Sequence, residues 1–209
     1  RGRASGRTGG PGGLRTGRDV VIGNVAVSGY PGKIDIRLDD VSISDDAAGW
    51  AARLPALRGS FAPWYLNRLD GRFDGPIVVD VVKGPLAGGY RLEADDNEIT
   101  VDRFSGAAIH LRLSGAKVTP DAINGVMAAD VLDVTLRQGA IPVFAAVIVE
   151  SDGITLPGAV VSPFGQHLER AAFRLDLKGA VPPAGPRAEE VARWRADGGN
   201  IDVLDVTIQ

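Results

Sequence analysis

A mainly β protein is what this sequence predicts: one long, curved antiparallel sheet or open half-barrel meander, with one amphipathic helix packed on it near the C-terminus. Three observations carry that expectation. Apolar and polar residues alternate with period two from Val20 onward, the pattern of a sheet with one buried and one wet face. Turn residues recur between the alternating runs at hairpin spacing. The stretch Pro186–Gln209 reads as a capped helix delivered through a glycine stop into a strand.

The leader comes first. Arg1–Gly17 holds seven glycines, and Arg1–Arg18 carries five arginines and no acid. Such a segment has almost nothing to bury, so 1–18 is expected to be disordered and 19–209 to form a single β-rich domain. Ile34, Ile36 and Leu38 then alternate with Asp35, Arg37 and Asp39. The phase slips across Asp39–Asp40 to Val41 and Ile43, which predicts a bulge. Further strands are expected at Ile77/Val79/Val81, Tyr90/Leu92/Ala94, Ile109/Leu111/Leu113, Leu132/Val134/Leu136 and Phe173/Leu175/Leu177. Val143–Val149 is apolar on both faces, as a more central strand would be. The last strand begins with Ile201 and Val203 and slips phase to Val206 and Ile208. Between them, Asp70-Gly71, Asp74-Gly75-Pro76, Lys83-Gly84-Pro85, Asp95-Asp96-Asn97, Ser105-Gly106 and Ser151-Asp152-Gly153 have turn chemistry.

The helix expectation rests on Pro186–Asp197. Proline opens it, Glu189 and Glu190 sit in its first turn, and Gly198-Gly199 supply a stop that favours positive φ. Ala188, Val191, Ala192 and Ala196 fall on one arc, with Trp194 at its edge. Shorter helical stretches are also compatible with Ala47–Ala52, Asp121–Val126 and Val160–Glu169.

Charge narrows the partners. The 209 residues carry a net −3, but without the five leader arginines 18 basic residues face 26 acidic ones, a net of −8. An acidic body is a poor binder of phosphate backbones, so no nucleic-acid partner is expected. Cysteine is absent, which excludes disulfides and thiolate chemistry. Of the two histidines, His110 lies on the polar side of an alternating strand and His167 follows Gly165; neither is placed beside a serine. The acid clusters Asp39-Asp40, Asp45-Asp46 and Asp95–Glu98 lack calcium-loop spacing and read as solvated turns. Trp50, Trp64, Tyr65 and Trp194 read as core or rim packing. No catalytic group, cofactor site or metal site is expected, so the chain is read as non-enzymatic.

Two segments carry a family resemblance: Gly-Tyr-Pro-Gly-Lys-Ile-Asp-Ile-Arg-Leu at 29–38 and Trp-Arg-Ala-Asp-Gly-Gly-Asn-Ile-Asp-Val at 194–203. Ile154–Gly158 adds to it. The chain resembles uncharacterised alphaproteobacterial envelope proteins catalogued as a domain of unknown function, loosely similar to AsmA-like proteins. Those have an early Gly-Phe-Pro-x-Arg-x-Asp-like motif and a late Trp-x-x-x-Gly-Gly motif. Here Tyr30 and Lys33 replace the phenylalanine and arginine. The matching structural residues are Gly29, Pro31, Asp35, Trp194, Gly198 and Gly199. The resemblance implies a periplasm-facing protein held at the inner membrane by a segment upstream of Arg1, with a domain that the chain cuts at both ends.

Two functions fit. A concave apolar face lined by Ile36, Leu38, Leu111, Leu113, Leu175 and Leu177 would take a phospholipid, an acyl chain or another hydrophobic ligand. Alternatively the chain is a structural or adaptor protein of the envelope, with a protein partner and no small-molecule ligand. Ligand identity, partner and oligomeric state are not legible in the sequence.

Overall fold

The computed structural model describes residues 18–46, 49–64, 67–83, 87–102, 108–122, 124–138, 143–178 and 195–209. They form one antiparallel sheet of twelve strands. These are β1 (Arg18–Ser28), β2 (Ile34–Asp45), β3 (Trp50–Phe61), β4 (Arg68–Asp74), β5 (Ile77–Val81) and β6 (Gly88–Glu93). The second half comprises β7 (Asp96–Asp102), β8 (Ala108–Pro120), β9 (Met127–Gln138), β10 (Val143–Thr155), β11 (His167–Lys178) and β12 (Asn200–Ile208).

Twelve strands occupy ten positions. β4 and β5 run end to end against β3, interrupted at Gly75-Pro76. β6 and β7 run end to end against β8, interrupted at Ala94-Asp95. With those pairs merged, every strand lies beside its sequence neighbours, and the topology is a plain up-and-down meander from β1 to β12. Among the described residues, substantial backbone approaches occur only between hydrogen-bonded neighbours, so the sheet is a single layer there.

The bulge expected at Asp39–Asp40 marks a feature of the whole sheet. Asp40 has φ +53°, and strand pairing steps over it on both sides. Gly75, Gly115 and Gly153 also have positive φ, at 73°, 60° and 62°, at the corresponding level of alternate strand positions. Between them lie Pro55, Asp95 and Asp130, giving a line of irregular residues running across the strands. We call it the crease. Side-chain phase inverts there: Leu111 and Leu113 precede it in β8, Ala116 and Val118 follow it, and all belong on one face.

That face holds the core. Phe73, Leu113 and Ala116 are buried together, and Leu54, Ile77, Leu92, Ala94 and Ala129 from one side of the crease pack with Leu57, Ile99, Leu111 and Leu132 from the other. Residues from both halves pack on this one cluster, so the core straddles the crease.

Several local expectations need correction. Ala47–Ala52 is not a helix; Trp50, Ala51 and Ala52 begin β3, and residues 47 and 48 lie outside the described residues. Asp121–Val126 forms turn and bend around one undescribed position, and Val160–Glu169 is a loop that enters β11 at His167. Asp70-Gly71 and Ser151-Asp152-Gly153 lie inside β4 and β10 rather than in turns, and Asp96-Asn97 opens β7. In the first two the glycine meets a demand other than a reversal: Gly71 gives a close backbone approach and Gly153 lies on the crease. Ser105-Gly106 lies outside the described residues.

Most of the Pro186–Asp197 helix expectation, including Trp194, also lies outside the described residues; Arg195 and Ala196 are helical. Gly198 has φ +88° and donates its N–H to the Arg195 carbonyl at 3.1 Å, closing a turn ahead of β12, while Gly199 does not adopt positive φ; among the described residues no helix packs on the sheet. The phase slip in β12 is a bulge: Arg174 pairs with Asp205 and Leu175 with Val203, leaving Leu204 as the extra residue.

Candidate functional site

Strand register decides which side chains share a face, because directly paired residues point the same way. One row runs Val25, Leu38, Leu57, Phe73 and continues through Asn97, Leu113, Leu132, Ser151, Ala171 and Ile208. The next contains Val27, Ile36, Ile99, Leu111, Val134, Val149, Phe173 and Val206. A third links Ile109, Leu136, Val147, Leu175 and Val203, and a fourth pairs Leu177 with Ile201.

The six residues expected to line a hydrophobic site, Ile36, Leu38, Leu111, Leu113, Leu175 and Leu177, therefore stand on one face in four adjacent rows. They do not all have the same access. Leu113 is fully buried and forms part of the floor, while the other five are partly exposed. Exposure grows away from the middle: Phe73 is 4% exposed in the first row, Phe173 39% in the second and Val206 61% at the β12 edge. Leu57, Phe73, Leu132, Val134 and Ile99 belong to the same surface. Of these, Leu57, Phe73 and Ile99 lie in β3, β4 and β7, where short alternating runs are broken by glycine, proline or acids.

The opposite face is charged. Arg37 donates to Asp39 at 2.7 Å, Arg58 to Asp74 at 2.7 Å and Arg53 to Asp80 at 2.6 Å. Arg112–Asp133 and Arg170–Glu150 continue the pattern across later strands at 3.4 and 3.1 Å. The Asp39 carboxyl is held below the usual carboxylate range, first by the Arg37 hydrogen bond and then by that from Asn24. Lys178 is raised by its hydrogen bond to Asp202. A shallow cavity of about 770 Å³ lies largely on this face, with Arg37, Arg58, Arg72, Asp70, Asp74 and Glu98 in its lining. Arg37, Arg58 and Arg72 are directly paired across β2, β3 and β4. Each already faces a carboxylate, Asp39, Asp74 and Asp96 respectively.

The structure keeps the histidines apart. His110 sits within β8, its Nδ1 3.0 Å from Thr135 Oγ1, and His167 opens β11 with Nδ1 3.3 Å from Thr155 Oγ1. Among the described residues no three His, Asp or Glu side chains gather closely enough to hold a metal ion. Trp64 is 66% exposed, which corrects its reading as packed, while Trp50 is partly buried and Tyr65 lies outside the described residues.

Gly29, Pro31 and Asp35 build the β1–β2 connection. Gly29 has φ +88°, and its carbonyl accepts the Lys33 N–H at 3.2 Å. A Cβ on Gly29 would stand 2.4 Å from the Lys33 carbonyl oxygen, so the close chain reversal requires glycine. The Tyr30–Pro31 peptide is cis, and Asp35 lies 3.7 Å from Lys33. This motif is a hairpin device; its residues do not converge with those of the apolar face.

No helix among the described residues is long and apolar enough to cross a membrane. No curated protein and no solved structure matches the chain. A model of one family, described as an uncharacterized protein conserved in bacteria (DUF2125), matches residues 13–209. With nearly its whole length matched, the chain belongs to the DUF2125 family of uncharacterised bacterial proteins.

Proposed function

We propose that this chain is a non-enzymatic, periplasm-facing envelope protein that holds a lipid acyl chain or another hydrophobic ligand against the apolar face of its sheet. The observation that carries the reading is the continuity of that face over four rows without a second layer among the described residues. An apolar surface of that extent must meet itself, a partner or a ligand. Phe73, Leu113 and Ala116 give it a floor at the crease, and Ile36, Leu38, Leu111, Leu175 and Leu177 remain partly accessible around it. The likeness of its motifs to alphaproteobacterial, loosely AsmA-like envelope proteins supplies the setting, in which acyl chains are abundant.

The test is native mass spectrometry of the purified chain, followed by titration with a labelled acyl-chain probe. Co-purifying phospholipid and saturable probe binding are expected, with binding reduced at least about tenfold in Leu111→Asp and Leu175→Asp, since each places a charge on the contact surface. A well-folded sample that carries no lipid and binds no probe removes this reading. A structural or adaptor role in the envelope is the second reading, favoured by the exposed apolar residues of β1 and β12 at the two edges of the sheet.

A further inference from the structure

Most sheet edges are protected against joining another strand by charge, proline or a bulge. β12 has such protection: the Leu204 bulge interrupts it, and Asp202 and Asp205 line it. β1 does not. From Val20 to Ser28 it has no charged residue and no proline, and Val20, Val21, Val25 and Val27 are each at least 55% exposed. Among the described residues its sole strand neighbour is β2.

The sequence of β1 is also self-complementary. Val20, Ile22, Val25 and Val27 pair with Ile43, Val41, Leu38 and Ile36, so all four stand on the apolar face. The crease inverts the phase between Ile22 and Val25, making the pattern symmetric about Gly23-Asn24. We propose that β1 pairs antiparallel with β1 of a second copy of this chain, on a two-fold axis between Gly23 and Asn24. Val20 then faces Val27 of the other copy, Ile22 faces Val25, and Val21 faces Ala26 on the polar side. Asp19 falls opposite Ser28, so no like charges meet. A two-fold contact requires this kind of self-complementary patch, and β1 of one copy meeting β12 of the next would instead propagate without closing.

Sedimentation of the full chain over a concentration series tests this, together with cysteine cross-linking in a sequence that has no native cysteine. A dimer that does not grow into larger species is expected. Val20→Cys/Val27→Cys should form covalent dimers under mild oxidation, whereas either single variant should not. The two sites in one strand are roughly 23 Å apart, far beyond disulfide reach. Val21→Lys/Ala26→Lys sets lysines opposite each other twice and should give monomers, while Val21→Lys/Ala26→Glu should restore the dimer. Circular dichroism confirms that each variant is folded. A monomer throughout the series, equal cross-linking by single and double variants, or open-ended oligomers would each overturn the proposal.

Discussion

Asn97 replaces a missing stretch of strand with its side chain. Regular pairing of β4 with β7 ends at Gly71–Ile99, which would leave the Phe73 backbone facing a gap. The Asn97 amide closes it, accepting the Phe73 N–H at 2.8 Å and donating to the Phe73 carbonyl at 3.0 Å. Phe73 is core, so those backbone groups are poorly placed to find water instead. Asn97→Ala should lower stability by about 1–3 kcal/mol, read from the denaturant midpoint, and Asn97→Asp should also destabilise because its carboxylate cannot donate. A midpoint unchanged in Asn97→Ala would show that water takes over both bonds. Nothing in the local sequence distinguishes this role. Asp95-Asp96-Asn97 has the composition of a turn, and the partner that Asn97 serves is 24 positions away.

At the scale of the element, the crease explains both what alternation revealed and what it concealed. The slip from Leu38 to Val41 was legible because long apolar runs flank Asp39–Asp40. In β3, Leu54 and Leu57 belong to the same face but are separated by Pro55-Ala56, and neither side offers enough alternation to mark a strand. Ser151-Asp152-Gly153 resembles a reversal for the same reason: positive φ suits a turn and a crease equally. Gly115 shows the requirement. Its φ is +60°, and an added Cβ would lie 2.2 Å from Asp95 Oδ2. Gly198 also has positive φ, at 88°, but open space around it. Both Gly115→Val and Gly198→Val should therefore show backbone strain of ~1 kcal/mol or more, with Gly115→Val the more damaging because of the added contact. Gly199→Val should lack this strain. Thermal midpoints of the three variants check the order, and equal midpoints for Gly115→Val and the parent would remove the crease argument.

Over the whole molecule, the meander was legible because each strand pairs beside its neighbours in sequence, so turn signals and alternation suffice to order it. The merging of β4 with β5 and of β6 with β7 was not, since it depends on β3 and β8 being long enough to span two partners. The same one-dimensional arrangement predicts how the fold comes apart. Each interior position is supported by two lateral neighbours and each edge by one, and the buried cluster of Phe73, Leu113 and Ala116 lies in the middle positions. Opening should begin at an edge and meet its greatest resistance near β8, as in proteins whose units contact only adjacent units. Amide hydrogen exchange at a protein concentration where the chain is monomeric should be slowest around Leu111–Leu113 and the facing Leu132–Val134. It should be faster in β12 and, without a second copy on its edge, in β1. Leu113→Ala, which empties a fully buried site, should cost about 2–5 kcal/mol and accelerate exchange across the middle strands together, whereas Leu175→Ala should act less strongly and closer to β11. Uniform protection from β1 to β12 would mean that the sheet opens as one cooperative unit, and that the central cluster supports the edges as firmly as it supports the middle.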